Sequence, residues 1–240
     1  MPLLSIVLPT YNEEDNLDPL VAELVAVLPE LRRDWEVECV FVDDGSTDRT
    51  REKMLAAREQ HPELGIRVVA LDRNWGLTAA MEAGFRAARG EVVATLDTDL
   101  QNDPRDLPKL LTHLREADVA IGVRVNRRDT VVKRTSSKIA NGIRNWATHE
   151  DIVDTGCSLK VYRKAYLDRI KLFTGLHRFL PTLLKLEGAR VVQVPVNHRP
   201  RVHGEAKYHL WNRLIGPLMD LFAVRWMQRR HLGYRAEELP

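Results

Sequence analysis

An α/β fold with a mainly parallel central sheet flanked by helices is predicted by this sequence, and three observations predict it. Short apolar runs of strand length alternate with stretches whose apolar residues recur at helical spacing. Successive strand-like runs are joined through single helices, the pattern of right-handed parallel crossovers. Polar clusters stand where apolar runs stop: Pro9-Thr10-Tyr11, Asp43-Asp44-Gly45 and Asp97-Thr98-Asp99. In open α/β sheets ligands bind beyond the carboxyl ends of the strands, so the three clusters are expected on one edge.

The elements follow in order. Leu4–Leu8 reads as a first strand ended by Pro9. Asn16–Leu28 reads as a helix, with Leu17, Leu20, Val21, Leu24, Val25 and Leu28 on its apolar face. Glu38–Val42 is the second strand, and Ser46 or Thr47 is placed to cap a helix running to about Gln60. Ile66–Leu71 is the third strand. Leu77–Arg89 is a helix closed by Gly90. Glu91–Leu96 is the fourth strand, and Pro104–Arg115 a helix with proline near its start. Val119–Val123 is the fifth strand. Beyond it residues 131–147 look helical, Ser158–Tyr162 and Val191–Val196 look like strands, and a helix spans about Arg178–Leu186. His209–Arg230 is amphipathic, with Trp211, Leu214, Ile215, Leu218, Leu221, Phe222 and Trp226 on or near one face. Gly216-Pro217 must kink or restart that helix.

At 240 residues, 44% of them hydrophobic and 29% charged, the chain can bury a sizeable core. Its net charge of +2 gives no argument for nucleic acid. Local charge says more: residues 124–144 hold seven Lys or Arg against Asp129 alone, and 199–230 are also basic. Solvated helix faces would explain both stretches, as would a phosphate-bearing or membrane-surface partner. Cys39 and Cys157 form no disulfide framework, and Cys39 reads as a core thiol, which suits a reducing cytoplasm. The N-terminus lacks a signal-peptide pattern, and no window reaches ~18 uninterrupted apolar residues, so no membrane-spanning helix is expected.

Asp97 and Asp99 follow the buried run Val92-Val93-Ala94. Two carboxylates one residue apart at a strand end make a small hard-oxygen site, suited to Mg²⁺ or Mn²⁺ that also holds a phosphate. The rival reading is an Asx turn ahead of the Pro104 helix. Unpaired burial of such a pair is costly unless something cationic compensates. The histidines show no zinc spacing.

The three motifs Leu8-Pro9-Thr10-Tyr11-Asn12-Glu13, Val42-Asp43-Asp44-Gly45-Ser46 and Asp97-Thr98-Asp99-Leu100-Gln101, in this order, resemble the family 2 glycosyltransferases. Similarity is greatest to the polyprenyl-phosphate branch, and runs from Ser5 to about Tyr208. The resemblance implies the GT-A nucleotide-sugar-binding fold and an inverting, metal-dependent sugar transfer to a polyprenyl phosphate from a UDP- or GDP-linked donor. It implies that Pro9, Tyr11, Glu13, Val42 and Asp44 form the nucleoside pocket, with Thr98 beside it. The rival reading of Asp43 and Asp44 is a turn and helix cap. Asp97, Asp99 and Gln101 match the metal positions. Arg124, Lys133 or Arg134, and Ser137 match the acceptor-phosphate site. Lys133 stands where relatives often have Arg and lacks its bidentate fork. Arg201 and Lys207 lie in a segment resembling a loop that closes over phosphates, with Ala206 where relatives commonly have Ser. Arg73 and Asn74 precede Gly76 in a turn that suits either the sugar diphosphate or a plain helix start. Asp154 falls in the segment Asp154–Lys160, which relatives place near the sugar. A phosphomonoester acceptor is already anionic near neutral pH and needs no base. Asp154 therefore orients either a sugar hydroxyl or the chain around Arg124. His177 and Arg178 are open to donor or acceptor contact, or are a surface pair.

The expected organisation is a catalytic domain over 1–208, its nucleotide-sugar part about 1–123 and its acceptor part about 124–208. An amphipathic segment, 209–240, follows it. That segment either lies in lipid headgroups or packs on protein, as a peripheral contact at the cytoplasmic face of a membrane or with a membrane subunit. The alternatives are a family 2 enzyme with a soluble or glycan acceptor and a non-catalytic nucleotide-sugar-binding subunit. A pyrophosphorylase would need a Gly-rich basic loop after the first strand, and a dinucleotide-binding enzyme a G-x-G-x-x-G there; neither is present.

Overall fold

A computed structural model describes residues 1–125, 142, 144–145, 148, 150–200 and 215–232, with backbone alone at 215–218. The strands are β1 (Leu3–Thr10), β2 (Glu36–Asp43), β3 (Arg67–Ala70), β4 (Val92–Thr95), β5 (Val119–Arg124), β6 (Lys160–Arg163) and β7 (Val191–Val196). They form one sheet in the order β3-β2-β1-β4-β6-β5-β7. All pairings are parallel except those of β6, which runs antiparallel to both β4 and β5. That reversal matters for function. It brings the start of β6 to the edge where β4 ends, with Lys160 opposite Thr95.

The helices are α1 (Glu14–Leu31), α2 (Thr50–Gln60), α3 (Leu77–Ala87), α4 (Leu107–Thr112), the single turn α5 (Lys164–Leu167), α6 (Leu180–Leu186) and α7 (Ile215–Arg230). Strand side chains alternate between faces. Leu4, Ile6 and Leu8 of β1 join Leu17, Leu20 and Leu24 of α1 and Leu107 and Leu110 of α4 on one side. Val7 joins Ala80, Met81 and Phe85 of α3, Leu183 of α6 and Val224 of α7 on the other. Cys39 is fully buried, as a core thiol should be.

Several boundaries differ from expectation for identifiable reasons. Pro9 does not end β1. Pairing with β4 stops at Thr95, so the N–H that proline lacks has no ladder partner to lose on that side, and the Pro9 carbonyl accepts from the Thr98 hydroxyl at 3.4 Å. Neither Ser46 nor Thr47 caps α2. Asp48 accepts from the Thr50 N–H at 3.0 Å, while the Ser46 hydroxyl accepts from Asn12 N–H at 3.0 Å. Gly90 does not close α3, which ends at Ala87; a Cβ there would strike the Leu3 carbonyl and Ser5, so glycine serves close packing against β1. The Pro104–Arg115 stretch is three pieces, with 3₁₀ turns at Pro104–Asp106 and His113–Arg115 flanking α4. Residues Ser158 and Leu159 precede β6 rather than belonging to it. The segment before Ile215, on which a kink or restart depends, lies outside the described residues, and Gly216 and Pro217 stand in the first described turn of α7. Its apolar residues occupy two faces, not one. Leu221 and Val224 are buried in the core, whereas Met219, Phe222 and Trp226 point outward at 67%, 75% and 64% exposure. Trp211 and Leu214 lie outside the described residues, as does nearly all of 131–147.

Candidate active site

The carboxyl ends of β1, β2 and β4 bring the three motifs together, and hydrogen bonds between loops fix them. Asn12, at φ 49°, accepts the Thr47 N–H at 2.8 Å and thus ties the β1 loop to the β2 loop. Asp43 is fully buried: one oxygen accepts the Ser46 N–H at 2.9 Å, the other Arg51 Nε at 2.6 Å. It is the turn-forming member of the pair. Asp44 accepts the Trp75 N–H at 2.7 Å and the Gly76 N–H at 2.9 Å, which clamps the β3–α3 loop to the β2 end. Burial raises its carboxyl above the usual range, and those two N–H groups oppose the rise. Gly45, at φ 71°, is the only residue type that fits there, since a Cβ would collide with the backbone of Arg73 and Asn74. In the clamped loop Arg73 stacks over the half-exposed Trp75 ring at 3.9 Å.

Of the expected nucleoside-pocket residues, Pro9 is buried beside Asp97, and Tyr11 and Glu13 are half-buried at the edge. Glu13 accepts from Asn16 Nδ2 at 2.6 Å. Val42 is fully buried, its side chain in the apolar core on the α3 side. Any part it plays is as floor beneath the pocket.

The Asp97–Asp99 loop is tightly made. Leu100 adopts a left-handed φ of 62°, unusual for leucine, and is held by its burial. Asp99 accepts the Gln101 N–H at 3.1 Å. Gln101 Nε2 donates to the Arg199 carbonyl at 3.4 Å, and Gln101 O accepts the Arg199 N–H at 2.8 Å. Gln101 thus braces the loop against the segment after β7. Asp97 is half-buried and receives a hydrogen bond from Ser158. Burial and the negative charge of Asp99 push its carboxyl up to about 6, against the pull of Ser158, Lys160 and Arg124. Two like charges crowded at a poorly solvated strand end are what a divalent cation would relieve. Among the described residues no three acid, imidazole or thiol side chains gather to hold a metal unaided. Two carboxylates are hard oxygen donors that fit Mg²⁺ or Mn²⁺, ions that complete their shells with phosphate and water oxygens.

Arg124, at the end of β5, meets Asp154 in a bidentate pair: Nε to Oδ2 at 2.7 Å and Nη2 to Oδ1 at 2.8 Å. The pair is largely buried, at 16% and 7% side-chain exposure. Asp154 also accepts the Gly156 N–H at 3.2 Å. Asp154 engages Arg124 directly, the contact that the second of its two expected roles requires. Arg144, buried, donates to the Thr155 hydroxyl and to the Ile152 carbonyl at 2.9 Å, pinning the same loop. Lys133, Arg134, Ser137, Arg201 and Lys207 lie outside the described residues.

Sequence reading assigned no role to Lys160 or Ser158. Lys160 is 3% exposed and donates to the Cys157 carbonyl. Burial lowers its ammonium below the lysine range, offset in part by Cys157, Asp97 and Asp154. The signal was a lysine between apolar residues in Leu159-Lys160-Val161-Tyr162, where a cation is out of place without a purpose. A cavity of about 230 Å³ opens beside Asp97, lined by Pro9, Leu77, Met81, Lys160, His177 and Arg178 among others. His177 Nδ1 lies 2.7 Å from the Thr78 hydroxyl, and burial pushes the imidazole down to about 3.

The profile of glycosyl transferase family 2 matches residues 5–171. A dodecaprenyl-phosphate galacturonate synthase of Rhizobium johnstonii is 39% identical over 233 residues, covering 94% of this chain and 67% of that protein. An undecaprenyl-phosphate 4-deoxy-4-formamido-L-arabinose transferase of Edwardsiella ictaluri is 36% identical over 219 residues, covering 91% and 66%. The chain thus spans about two thirds of the length of these relatives. Among solved structures, a mannosyltransferase from Pyrobaculum calidifontis in complex with GDP-Man and Mn²⁺ superposes with a TM-score of 0.65 at 22% identity, covering 98% of this chain and 66% of that one. Glucosyl-3-phosphoglycerate synthase from Mycobacterium tuberculosis, in complex with Mn²⁺, UDP and glucosyl-3-phosphoglycerate, gives 0.67 at 18% identity, covering 95% and 80%. The GT-A architecture is common to all three.

Proposed function

Because the chain belongs to glycosyl transferase family 2, we propose that it moves a sugar from a nucleoside diphosphate to a polyprenyl phosphate with help from Mg²⁺ or Mn²⁺. The observation that carries this reading is the 39% identity, along nearly the whole chain, to a polyprenyl-phosphate sugar synthase. The Asp97–Asp99 loop beside a ring-sized cavity supports it.

Asp97 and Asp99 would hold the cation, with Gln101 bracing their loop or adding its amide oxygen. Bound there, the cation would offset the charge that builds on the departing nucleoside diphosphate. The remaining work falls to side chains. Tyr11, Glu13 and Asp44, with Pro9, Val42 and Thr98 behind them, shape the nucleoside end. Asp154 fixes the Arg124 fork so that it meets an acceptor phosphate without first losing rotamer freedom. Lys133 or Arg134, with Ser137, completes the acceptor site, and Arg201 and Lys207 cover the phosphates. The acceptor phosphate is its own nucleophile, so rate rests on alignment and charge cancellation.

Among the described residues no helix is long and apolar enough to cross a membrane. The outward stripe of Met219, Phe222 and Trp226, with Arg229 and Arg230 at the helix end, gives α7 the chemistry of an interfacial helix on anionic lipid. That face would bring the active site to its lipid acceptor from the cytoplasmic side.

Incubation of the purified chain with Mn²⁺, a panel of UDP- and GDP-sugars and a polyprenyl phosphate tests the reading. Formation of a polyprenyl-phosphate sugar by mass spectrometry is expected. Transfer to water-soluble glycans in its place would move the chain to the other acceptor class.

A further inference from the structure

The cavity beside Asp97 is lined by two cationic side chains, Lys160 and Arg178, against the one acid, Asp97. Leu77 and Met81 of α3 form one wall, and Lys160 and Arg178 face into the same space. At about 230 Å³ it is smaller than the ~300–1,000 Å³ clefts of drug-sized ligands and suits a single sugar ring.

Lys160 is the decisive group. Its ammonium is almost wholly buried, and its acceptors are two neutral carbonyls, Cys157 O and, at 3.5 Å, Thr155 O. Among the described residues no carboxylate forms an ion pair with it. Of the acids that act on it, Asp97 is crowded by the like charge of Asp99, and Asp154 is held by Arg124. A buried cation whose hydrogen bonds go to carbonyls alone is costly unless an anion pairs with it directly. Arg178 adds a second charge to the cavity wall, while Asp220 of α7 acts on it electrostatically. His177 adds none, since its imidazole is neutral at physiological pH.

We propose that this cavity takes a donor sugar bearing its own carboxylate, a hexuronate, with Lys160 and Arg178 pairing to that carboxylate and the Leu77–Met81 wall lying on the ring. The inference rests on the nucleotide-sugar reading above and goes beyond it by naming the sugar class. The diphosphate is the rival source of an oxyanion, and the bare-nucleotide arm of the titration below tells the two apart.

Calorimetric titration of the full chain in Mn²⁺ separates these sources. The probes are UDP and GDP alone, UDP-galactose against UDP-galacturonate, UDP-glucose against UDP-glucuronate, and GDP-mannose against GDP-mannuronate. In at least one pair the uronate is expected to bind about tenfold tighter than its hexose. Lys160→Met and Arg178→Gln should each shrink that gap while affinity for the bare nucleoside diphosphate stays within about twofold. Lys160→Arg should keep it. Equal binding of hexose and uronate overturns the proposal. So does loss of bare-nucleotide affinity in step with uronate affinity, which would make Lys160 a phosphate ligand. If Lys160→Met fails to fold, Arg178→Gln, half-buried and near the surface, decides. Failure of both bare nucleotides to bind would instead refute the donor reading itself.

Discussion

Asp154 accepts two hydrogen bonds from Arg124, at 2.7 and 2.8 Å, across the gap between the start of the β6 loop and the end of β5. Thirty positions apart in sequence, the two residues behave as one unit. A carboxylate with both oxygens engaged by a guanidinium is poorly placed to take a proton from a sugar or acceptor. It is well placed to hold that guanidinium still.

Asp154→Asn should therefore lower transfer by about 10- to 100-fold through misplacement of Arg124. It should also destabilise the fold by ~3 kcal/mol, since it leaves a largely buried cation without its partner. Arg124→Lys in a wild-type background should also lower transfer, because lysine lacks the fork. The discriminating measurement is the pH–rate profile. A positioning role leaves its shape unchanged in Asp154→Asn, whereas loss of a general base would remove the rising limb.

Asp97→Asn and Asp99→Asn should each abolish Mn²⁺-dependent stabilisation by nucleoside diphosphate and reduce turnover by ~10²-fold or more. The pH dependence has a definite sign. The Asp97 carboxyl sits at about 6 without metal, so protons compete with the cation below that value. Mn²⁺-induced thermal shifts should weaken as pH falls through 6 and strengthen above it. Without metal the sign reverses: a carboxyl raised in the folded state favours folding when protonated, and that contribution fades as pH climbs through 6. Asp97→Asn should flatten both trends in a thermal-shift series.

How much of this was legible beforehand can be traced residue by residue. The edge formed by the three motifs followed from strand–helix alternation, because parallel crossovers place every strand's carboxyl end on the same side. The environment of Asp97 did not follow. It depends on β6 entering the sheet backwards between β4 and β5, and a strand's direction leaves no trace in its own apolar pattern. The segment holding Lys160 and Ser158 is expected near the sugar by resemblance, but neither residue is singled out within it, since only the antiparallel register sets them beside Asp97. The two-sided character of α7 was hidden as well. Periodicity marks which residues are apolar, but Phe222 and Leu221 differ only in which side the core occupies. Ser46 shows the limit at short range: it is a good capping residue by type, yet its hydroxyl accepts the Asn12 N–H across the loops, and Arg49 stands at the N-cap without a side-chain bond.

His177 offers a test of the cavity wall that needs no substrate. Its imidazole is pushed down to about 3 from 6.5 by burial and by the nearby charges of Arg178 and Lys160. A histidine depressed in the folded state is neutral there but takes a proton in the unfolded chain below 6.5. Its contribution to stability is present above that value and is lost as pH falls toward 3. His177→Gln can keep the Thr78 contact without titrating. Chemical denaturation from pH 7 to pH 4 should show wild type losing up to ~1.4 kcal/mol per pH unit more than the variant. Parallel curves would mean that the ring takes its proton near 6.5 in the folded chain as in the unfolded one, so that the wall gains a third positive charge only below that pH.

The outward face of α7 separates a lipid contact from ordinary packing. Phe222 and Trp226 are exposed at 75% and 64%, while Val224 between them is fully buried, so the two faces can be altered independently. Phe222→Ser with Trp226→Ser should change folding stability by less than about 0.5 kcal/mol, as expected of surface positions. Val224→Ala should cost ~2 kcal/mol by opening the core. If α7 rests on anionic lipid, the outer pair should lose flotation with phosphatidylglycerol vesicles, and raised salt should weaken binding of wild type through Arg229 and Arg230. Activity toward a short, water-soluble polyprenyl phosphate should stay near wild type in the same variant, because neither side chain lines the cavity beside Asp97. Flotation that survives the double substitution would shift the lipid contact away from this helix.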